Sequence, residues 1–369
     1  MNSYAGCAPV LALGLLVLSG LVLFAVGDTA AATVNAVASA VAAGDLADGG
    51  AFTRFDTEME RSHPLRDVAI PAVAAVRYIA LRQGNSGVVV GRNGWLFTDE
   101  EFQHHSEDER ALRERLAYIR EVADLLEHTH SADLAVVVVP SKARVAAEYV
   151  PRYMAPAVFH DRLRRTVEEL RESRITVVNA ADALTPEDYF FRDTHWNPDG
   201  TERTARAVGT AVGDSERFGS TYRLSRLEAE VLEGDLLPFV PVGLWSEALG
   251  LTRERYRPLE ADLVDGASGG GGLFDTPEIP VTLVGTSYSA DQRFGFEIAL
   301  RVVLGADVLN VAEPAGGPFR PMAAYLKGDT LSEISPELVV WEIPERYLTL
   351  PGVDVPTPPD TVALDDRPR

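Results

Sequence analysis

From residue 134 onward the chain alternates between two periods, and that alternation restricts its fold more than any other feature. Leu134–Val139 is an unbroken apolar run closed by Pro140, and Ile175–Asn179, Val281–Val284, Val308–Val311 and Leu338–Ile343 are similar short runs rich in β-branched residues. Helical patterns lie between them at Phe159–Glu172, Thr201–Val212 and Phe294–Leu304. Ahead of the first run, Glu109–His128 sets Leu112, Leu116, Ile119, Val122 and Leu126 on one helical face. Strands apolar on both faces, separated by helices, indicate βαβ units and a mostly parallel sheet: an α/β fold. Right-handed crossovers bring the carboxyl ends of such strands to one edge, where open α/β sheets bind ligands.

The flanks read differently. Ala8–Val26 is uncharged and mostly apolar, close to the ~20 residues that span a bilayer and longer than the ~7–15 residues of a cleaved signal core. Residues 1–27 are therefore expected to form an N-terminal membrane helix, an uncleaved anchor, although Ala30-Ala31-Ala32 offers a small-residue cleavage site. No Lys or Arg precedes Arg54, so the positive-inside rule gives little direction; with Asp28 just after the span, the catalytic domain is expected on the outside. Residues 28–83 read as a spacer and helical lead-in, with helices broken at Pro64 and Pro71. Val88–Phe97 reads as a hairpin about Asn93-Gly94. The catalytic span is expected at 84–350, with an insertion at about 214–280 that contains the flexible run Asp265–Gly272; this insertion is either a lid or a surface loop. Residues 351–369, with their prolines and acids, read as a disordered tail.

Charge excludes some functions. There are 34 basic and 55 acidic side chains, a net −21, which argues against nucleic acid and anionic lipid surfaces as partners. The only lysines are Lys142 and Lys327, and the one cysteine is Cys7. An internal disulfide and a cysteine zinc site are thereby excluded. The histidines show no metal-ligand spacing: His104-His105 and the His128/His130 pair sit in or beside a polar helix, and no HExxH occurs. Walker A and Rossmann glycine fingerprints are also missing. No metal and no cofactor is expected.

Two segments carry chemistry. In Asp193-Thr194-His195-Trp196 the acid and the imidazole are two apart, a spacing that shares a face in extended chain but not in a helix. Asn197-Pro198 follows as a helix N-cap and first-turn pair. The bland alternative is a capped loop around a structural Trp196. The second segment, Gly285-Thr286-Ser287-Tyr288, follows the run Val281–Val284. A glycine at that transition lets the backbone turn sharply and present a hydroxyl, with nearby N–H groups as an oxyanion hole. Ser289 is the rival nucleophile, and an ordinary helix-capping serine is the bland alternative. Acid, imidazole and hydroxyl together are the parts of an acyl-transfer site.

At these residues the chain resembles the SGNH-hydrolase-like family of alginate O-acetyltransferases, the AlgJ/AlgX type. Gly91–Phe97 is similar to that family's leading hairpin and Val139-Pro140-Ser141-Lys142 to its first strand end. Asp193–Trp196 resembles its acid–histidine block, and Val340–Arg346 its last strand. The resemblance covers roughly residues 55–350 and implies an SGNH-hydrolase-like α/β/α sandwich with a triad of Ser287, His195 and Asp193. It also implies periplasmic work on an exopolysaccharide, with acetyl supplied by a membrane-bound O-acyltransferase, beside other export subunits. AlgX-type members carry a C-terminal carbohydrate-binding module; a chain ending soon after Arg346 looks more like the AlgJ type. Arg346, Arg293 and Tyr288 are the expected substrate-binding residues. A polyanionic glycan would be repelled by a −21 protein unless arginines such as Arg293, Arg320 and Arg346 offset the repulsion within roughly 8–10 Å of the cleft; otherwise the acceptor is a more neutral glycan. The competing readings are a polysaccharide acetylesterase, a non-catalytic glycan-binding or scaffold subunit, and an acetyl relay.

Overall fold

The structure is a computed structural model that describes residues 66–154, 159–213, 218–265 and 279–356. The expected membrane helix at Ala8–Val26, most of the spacer, most of the glycine run and most of the tail lie outside the described residues. Among the described residues no helix is long and apolar enough to cross a membrane.

Contacts divide the chain into two compact units, one ending at Val90 and including Leu236–Thr252, the other comprising Gly91–Asp235 and everything from Arg253. The smaller unit holds helix α1 (Arg66–Val76), which ends in a π turn, and strand β1 (Val88–Val90). The expected break at Pro71 does not occur, since α1 runs through it. Pro71 lies within 3.2 Å of where a Cβ on Gly243 would stand, so a glycine in the left-handed region accommodates the ring, and this packing offsets the lost helical bond.

The larger unit opens with the turn of the expected hairpin. Asn93 and Gly94 both have positive φ, Gly91 N–H donates to the Trp95 carbonyl at 2.8 Å, and strand β2 (Leu96–Thr98) follows. Helix α2 (Asp108–Leu125), strand β3 (Asp133–Val139), the short helix α3 (Lys142–Val145), helix α4 (Phe159–Glu172), strand β4 (Thr176–Asn179) and helix α5 (Pro198–Val212) come next. Strands β5 (Thr221–Arg226), β6 (Glu230–Leu232), β7 (Glu254–Tyr256) and β8 (Leu259–Asp265) form two antiparallel ribbons, β5 with β8 and β6 with β7. The described part of the region read as a lid or loop thus carries four strands in two short ribbons, joined by turns and irregular chain. Strand β9 (Val281–Val284), the one-turn helix α6 (Ser287–Ala290), helix α7 (Phe296–Leu304), strand β10 (Val308–Asn310), helices α8 (Phe319–Lys327) and α9 (Thr330–Ile334), and strand β11 (Leu338–Pro344) complete it.

Five strands form one fully parallel sheet in the order β10-β9-β11-β3-β4. One face is covered by α2, α4 and α8, whose Leu116, Ile119, Leu163, Val167, Phe319 and Met322 pack on Val136, Val138, Val339 and Trp341. On the other face α5 and α7 pack closely, with Gly209 against Val303. This is the expected α/β/α arrangement, and every residue of β11 is buried. Removing each such Val, Ile or Leu side chain from water contributes about 1.5–3 kcal/mol. Because the strands are parallel, the segments leaving β3, β9 and β11 emerge at one edge.

Candidate active site

Ser287 stands three residues beyond the end of β9, at the first position of α6. Thr286 is the N-cap, its hydroxyl oxygen accepting from Tyr288 N–H at 3.4 Å. Beneath the turn lies Glu342 of β11, fully buried. Its carboxylate accepts from Thr286 N–H at 2.7 Å, from the Thr286 hydroxyl at 3.0 Å and from the Ser289 hydroxyl at 3.1 Å. A Cβ on Gly285 would stand 2.5 Å from that carboxylate, so the close approach requires glycine there. Burial raises the Glu342 carboxyl above its ordinary value, and the donors around it and Arg346 partly offset this.

The acid and the imidazole sit on a narrow loop between β4 and α5. Tyr189 and Trp196 pair across it in an antiparallel bridge. Asn197 caps α5 through Asp199 N–H and Gly200 N–H, with Pro198 in the first turn, so the cap legible in sequence is formed and the helix begins earlier than its apolar period. His195 Nδ1 is 2.7 Å from Asp193 Oδ1, and Nε2 is 2.7 Å from Ser287 Oγ. A carboxylate only accepts, so Nδ1 carries the proton and Nε2 accepts from the serine hydroxyl. Ser289, the rival, is buried and turned to Glu342.

The imidazole is flanked by Phe294, stacked at 4.7 Å, and by Tyr288 at 4.6 Å. Trp196 Nε1 donates to the Tyr288 carbonyl at 3.2 Å, and the Tyr288 hydroxyl donates to the Thr194 carbonyl at 2.7 Å. The residues that follow His195 and Ser287 thus cross-brace the two segments. Burial works to raise the Asp193 carboxyl, but its hydrogen bond and charge contact with His195, with amides of His195 and Asp235, hold it below the ordinary value.

Two carboxylates of the ribbon region enter the site, and sequence reasoning missed both. Asp235 accepts from Thr194 N–H at 2.7 Å, its own N–H donates to Asp193 Oδ2 at 3.0 Å, and its carboxylate is 3.6 Å from His195 Nδ1. Burial, and then the neighbouring Asp193, raise its carboxyl. Glu254 accepts from Phe191 N–H and Arg192 N–H, both at 2.8 Å. No local motif marks either residue, because each acts across at least 40 positions of chain. Asp193, His195 and Asp235 have potential ligand atoms within 4.8 Å of one another, but His195 Nδ1 is already engaged by Asp193.

The residues expected to bind substrate fall in different places. Tyr288 and Arg346 are buried. Burial pushes the Tyr288 phenol up, and its hydroxyl is spent on Thr194. Arg346 donates to Glu100 at 3.0 Å and lies over the Tyr288 and Tyr347 rings. These contacts hold both side chains in the interior beside the site. Arg293 is half exposed but binds the Asp291 carboxylate, and Arg320 binds Glu313.

Residues 88–345 match the family described as SGNH hydrolase-like domain, acetyltransferase AlgX. The chain belongs to this family. It is 36% identical over 321 residues to the probable alginate O-acetylase AlgJ of Pseudomonas putida, covering 83% of this chain and 81% of that one. To its counterpart in Pseudomonas aeruginosa it is 34% identical over 330 residues, 85% and 83% of the two chains. The solved O-acetyltransferase domain of Pseudomonas putida AlgJ matches with a TM-score of 0.63 and 34% identity, covering 72% of this chain and 93% of that one. The SGNH-like α/β fold expected from the resemblance is therefore the fold of this chain.

Proposed function

We propose that this protein is an O-acetyltransferase that acetylates hydroxyl groups of alginate or a similar exopolysaccharide through an acetyl-Ser287 intermediate. The AlgJ relatives support the activity and the substrate class. The observation that carries the mechanism is the unbroken line of short contacts from Asp193 through His195 to the Ser287 hydroxyl.

In this reading His195 Nε2 takes the Ser287 proton as Oγ attacks the acetyl carbonyl of the donor. His195 then gives that proton to the leaving group, and acetyl remains as the serine ester. A sugar hydroxyl next loses its proton to His195 and attacks the ester carbonyl. The acetylated sugar departs, and Ser287 recovers its proton from His195. Asp193 keeps the tautomer and stabilises the imidazolium formed in each half. Ser287 N–H, at the head of α6, is a candidate donor to the oxyanion.

We assign this chemistry to the span 84–350, held outside the cytoplasmic membrane by an N-terminal anchor. Its acetyl supplier would be a membrane-bound O-acyltransferase, and its surroundings the exopolysaccharide export machinery. Turnover of p-nitrophenyl acetate and mass spectrometry of the acetyl adduct test the reading in wild type, Ser287→Ala and His195→Ala. The expected result is an adduct on Ser287 discharged onto an alginate oligosaccharide, with both variants inactive. Acetyl transfer by Ser287→Ala sinks the mechanism. Discharge to water alone means an esterase, and no adduct at all means a scaffold.

A further inference from the structure

The chain has two lysines, and one of them lies in its interior. Lys142, at the head of α3 just beyond β3, is 1% exposed. Its ammonium donates to the carbonyls of Leu96 at 2.6 Å, Phe191 at 3.1 Å and Asp193 at 2.8 Å. Three N–H donors meet three backbone acceptors, and among the described residues no carboxylate is hydrogen-bonded to the amine. The rings of Trp95 and Phe97 lie 5.1 Å and 5.2 Å away. Burial pushes the amine down to about 8, partly offset by the charges of Glu101, Glu254, Asp193 and Asp235 around it. A buried ammonium hydrogen-bonded to no anion is costly to desolvate, and its three carbonyl bonds are what offset that cost.

Its acceptors explain why it is there. Two of the three carbonyls belong to the loop that carries Asp193, and the third belongs to β2. On the other side of the loop, Glu254 takes the amides of Phe191 and Arg192, and Asp235 takes that of Thr194. Acid-loop amides are thus met by carboxylates and acid-loop carbonyls by the ammonium, which leaves the Asp193 side chain directed at His195.

We propose that Lys142 is a positioning residue for the Asp193–His195 pair, holding the acid loop by its carbonyls so that the carboxylate meets Nδ1. The proposal rests on the acyl-serine reading for its kinetic arm, but its spectroscopic arm needs no substrate. A carboxylate 2.7 Å from Nδ1 should give a far-downfield Nδ1–H proton resonance in the full-length protein, absent from Asp193→Asn. Lys142→Met is expected to lose or shift that resonance and to lower kcat for p-nitrophenyl acetate about 10²-fold, the effect of roughly 1 Å of misplacement, with KM changed less than about threefold. Lys142→Arg should restore part of both. Lys327→Met, at the exposed second lysine, should change neither.

A folded Lys142→Met that keeps both resonance and kcat overturns the proposal. So does one that loses kcat with the resonance intact, since Lys142 would then act elsewhere. If Lys142→Met does not fold, the wild type carries the test. Lysine labelled at 15Nζ gives two amine signals, and neutralising Lys142 leaves two donors for three carbonyls. The downfield resonance must weaken as the Lys142 signal itself titrates; a resonance indifferent to that titration also overturns the proposal. Retained turnover in Ser287→Ala would sink the acyl-serine reading while leaving this result standing.

Discussion

The two halves of the site are held in opposite ways. The turn carrying Ser287 is built from local parts, a glycine, a threonine cap and one turn of helix, and the carboxylate of Glu342 supports it, with the Asn310 side chain and the Glu313 amide also donating to its carbonyls. The acid loop makes little regular structure of its own. It is held by Lys142, Glu254 and Asp235, each remote in sequence. Among the described residues, a turn built from local parts takes one charged side chain as support, where the loop takes three. A loop that must present both an acid and an imidazole has more backbone groups to satisfy than its own residues can serve. Placing the two segments accurately relative to each other is then left to the cross-braces of Trp196 and Tyr288.

The sharpest way to break this contrast is at Glu342. Glu342→Ala leaves Thr286 N–H, the Thr286 hydroxyl and the Ser289 hydroxyl without their acceptor in a sealed site. A loss of about 3 kcal/mol or more is expected in urea unfolding, with kcat down roughly 10²-fold. A folded variant with unchanged kcat would show that the turn holds itself and that the contrast is complete. Glu342→Gln, which keeps the shape but not the accepting capacity, should fall between the two.

The contrast also governs what could be read from sequence. The five strands of the parallel sheet and the helices α2, α4, α5 and α7 followed from apolar period, because strands buried on both faces must be apolar throughout. The Asn197 cap and the Gly285 turn followed from local rules. Pro71 misled because Gly243, distant in the chain, accepts its ring. The short strands between residues 221 and 265 were not read, because glycines and charges drew attention away from alternating runs such as Thr221–Arg226. Lys142 and Glu342 were visible only as parts of resembling blocks, and Asp235 and Glu254 not at all. Buried charges that bind backbone leave no periodic trace; only the fold brings them to their partners.

The acid-loop side can be sharpened through pH. Lys142 has a folded-state value of about 8 against an ordinary 10.5. Between these values the unfolded chain keeps that proton and the folded chain does not. The unfolded state therefore binds more protons, so this group's contribution makes stability rise with pH across the window. Relative to Lys142→Met, in which raised tyrosines such as Tyr288 contribute equally, the wild type should gain on the order of 1–3 kcal/mol between pH 8 and pH 10.5. Denaturant unfolding at several pH values measures this. A flat difference would mean that the ammonium is not desolvated as its burial implies.

Glu254→Gln tests the opposite face of the same loop more gently. The amide oxygen can still accept one of the two N–H groups of Phe191 and Arg192, and the residue is only partly buried. About a tenfold loss of kcat is expected, with no more than about 1 kcal/mol of stability lost. Combined with Lys142→Met, the losses should be less than additive, because both variants free one loop. Additivity would mean that the two side chains act on the site separately.

The smallest effect is expected at Ser289, and it bears on which serine reacts. Its hydroxyl is buried and bonded to Glu342, whereas His195 reaches Ser287. Ser289→Ala removes one of three donors to Glu342 and leaves both Thr286 contacts. Because the donor leaves together with its hydrogen bond, no buried N–H or O–H is orphaned, and the cost should be near 1 kcal/mol. Turnover should stay within about twofold, and mass spectrometry should still find the acetyl group on Ser287. If Ser289→Ala instead abolishes the adduct, then either Ser289 carries the acyl group or the turn depends on all three tethers. Glu342→Gln separates these, since it disturbs the tethers while leaving the Ser289 hydroxyl in place. An adduct that survives Glu342→Gln and vanishes in Ser289→Ala would move the nucleophile, and with it the conclusion that this turn is organised from within.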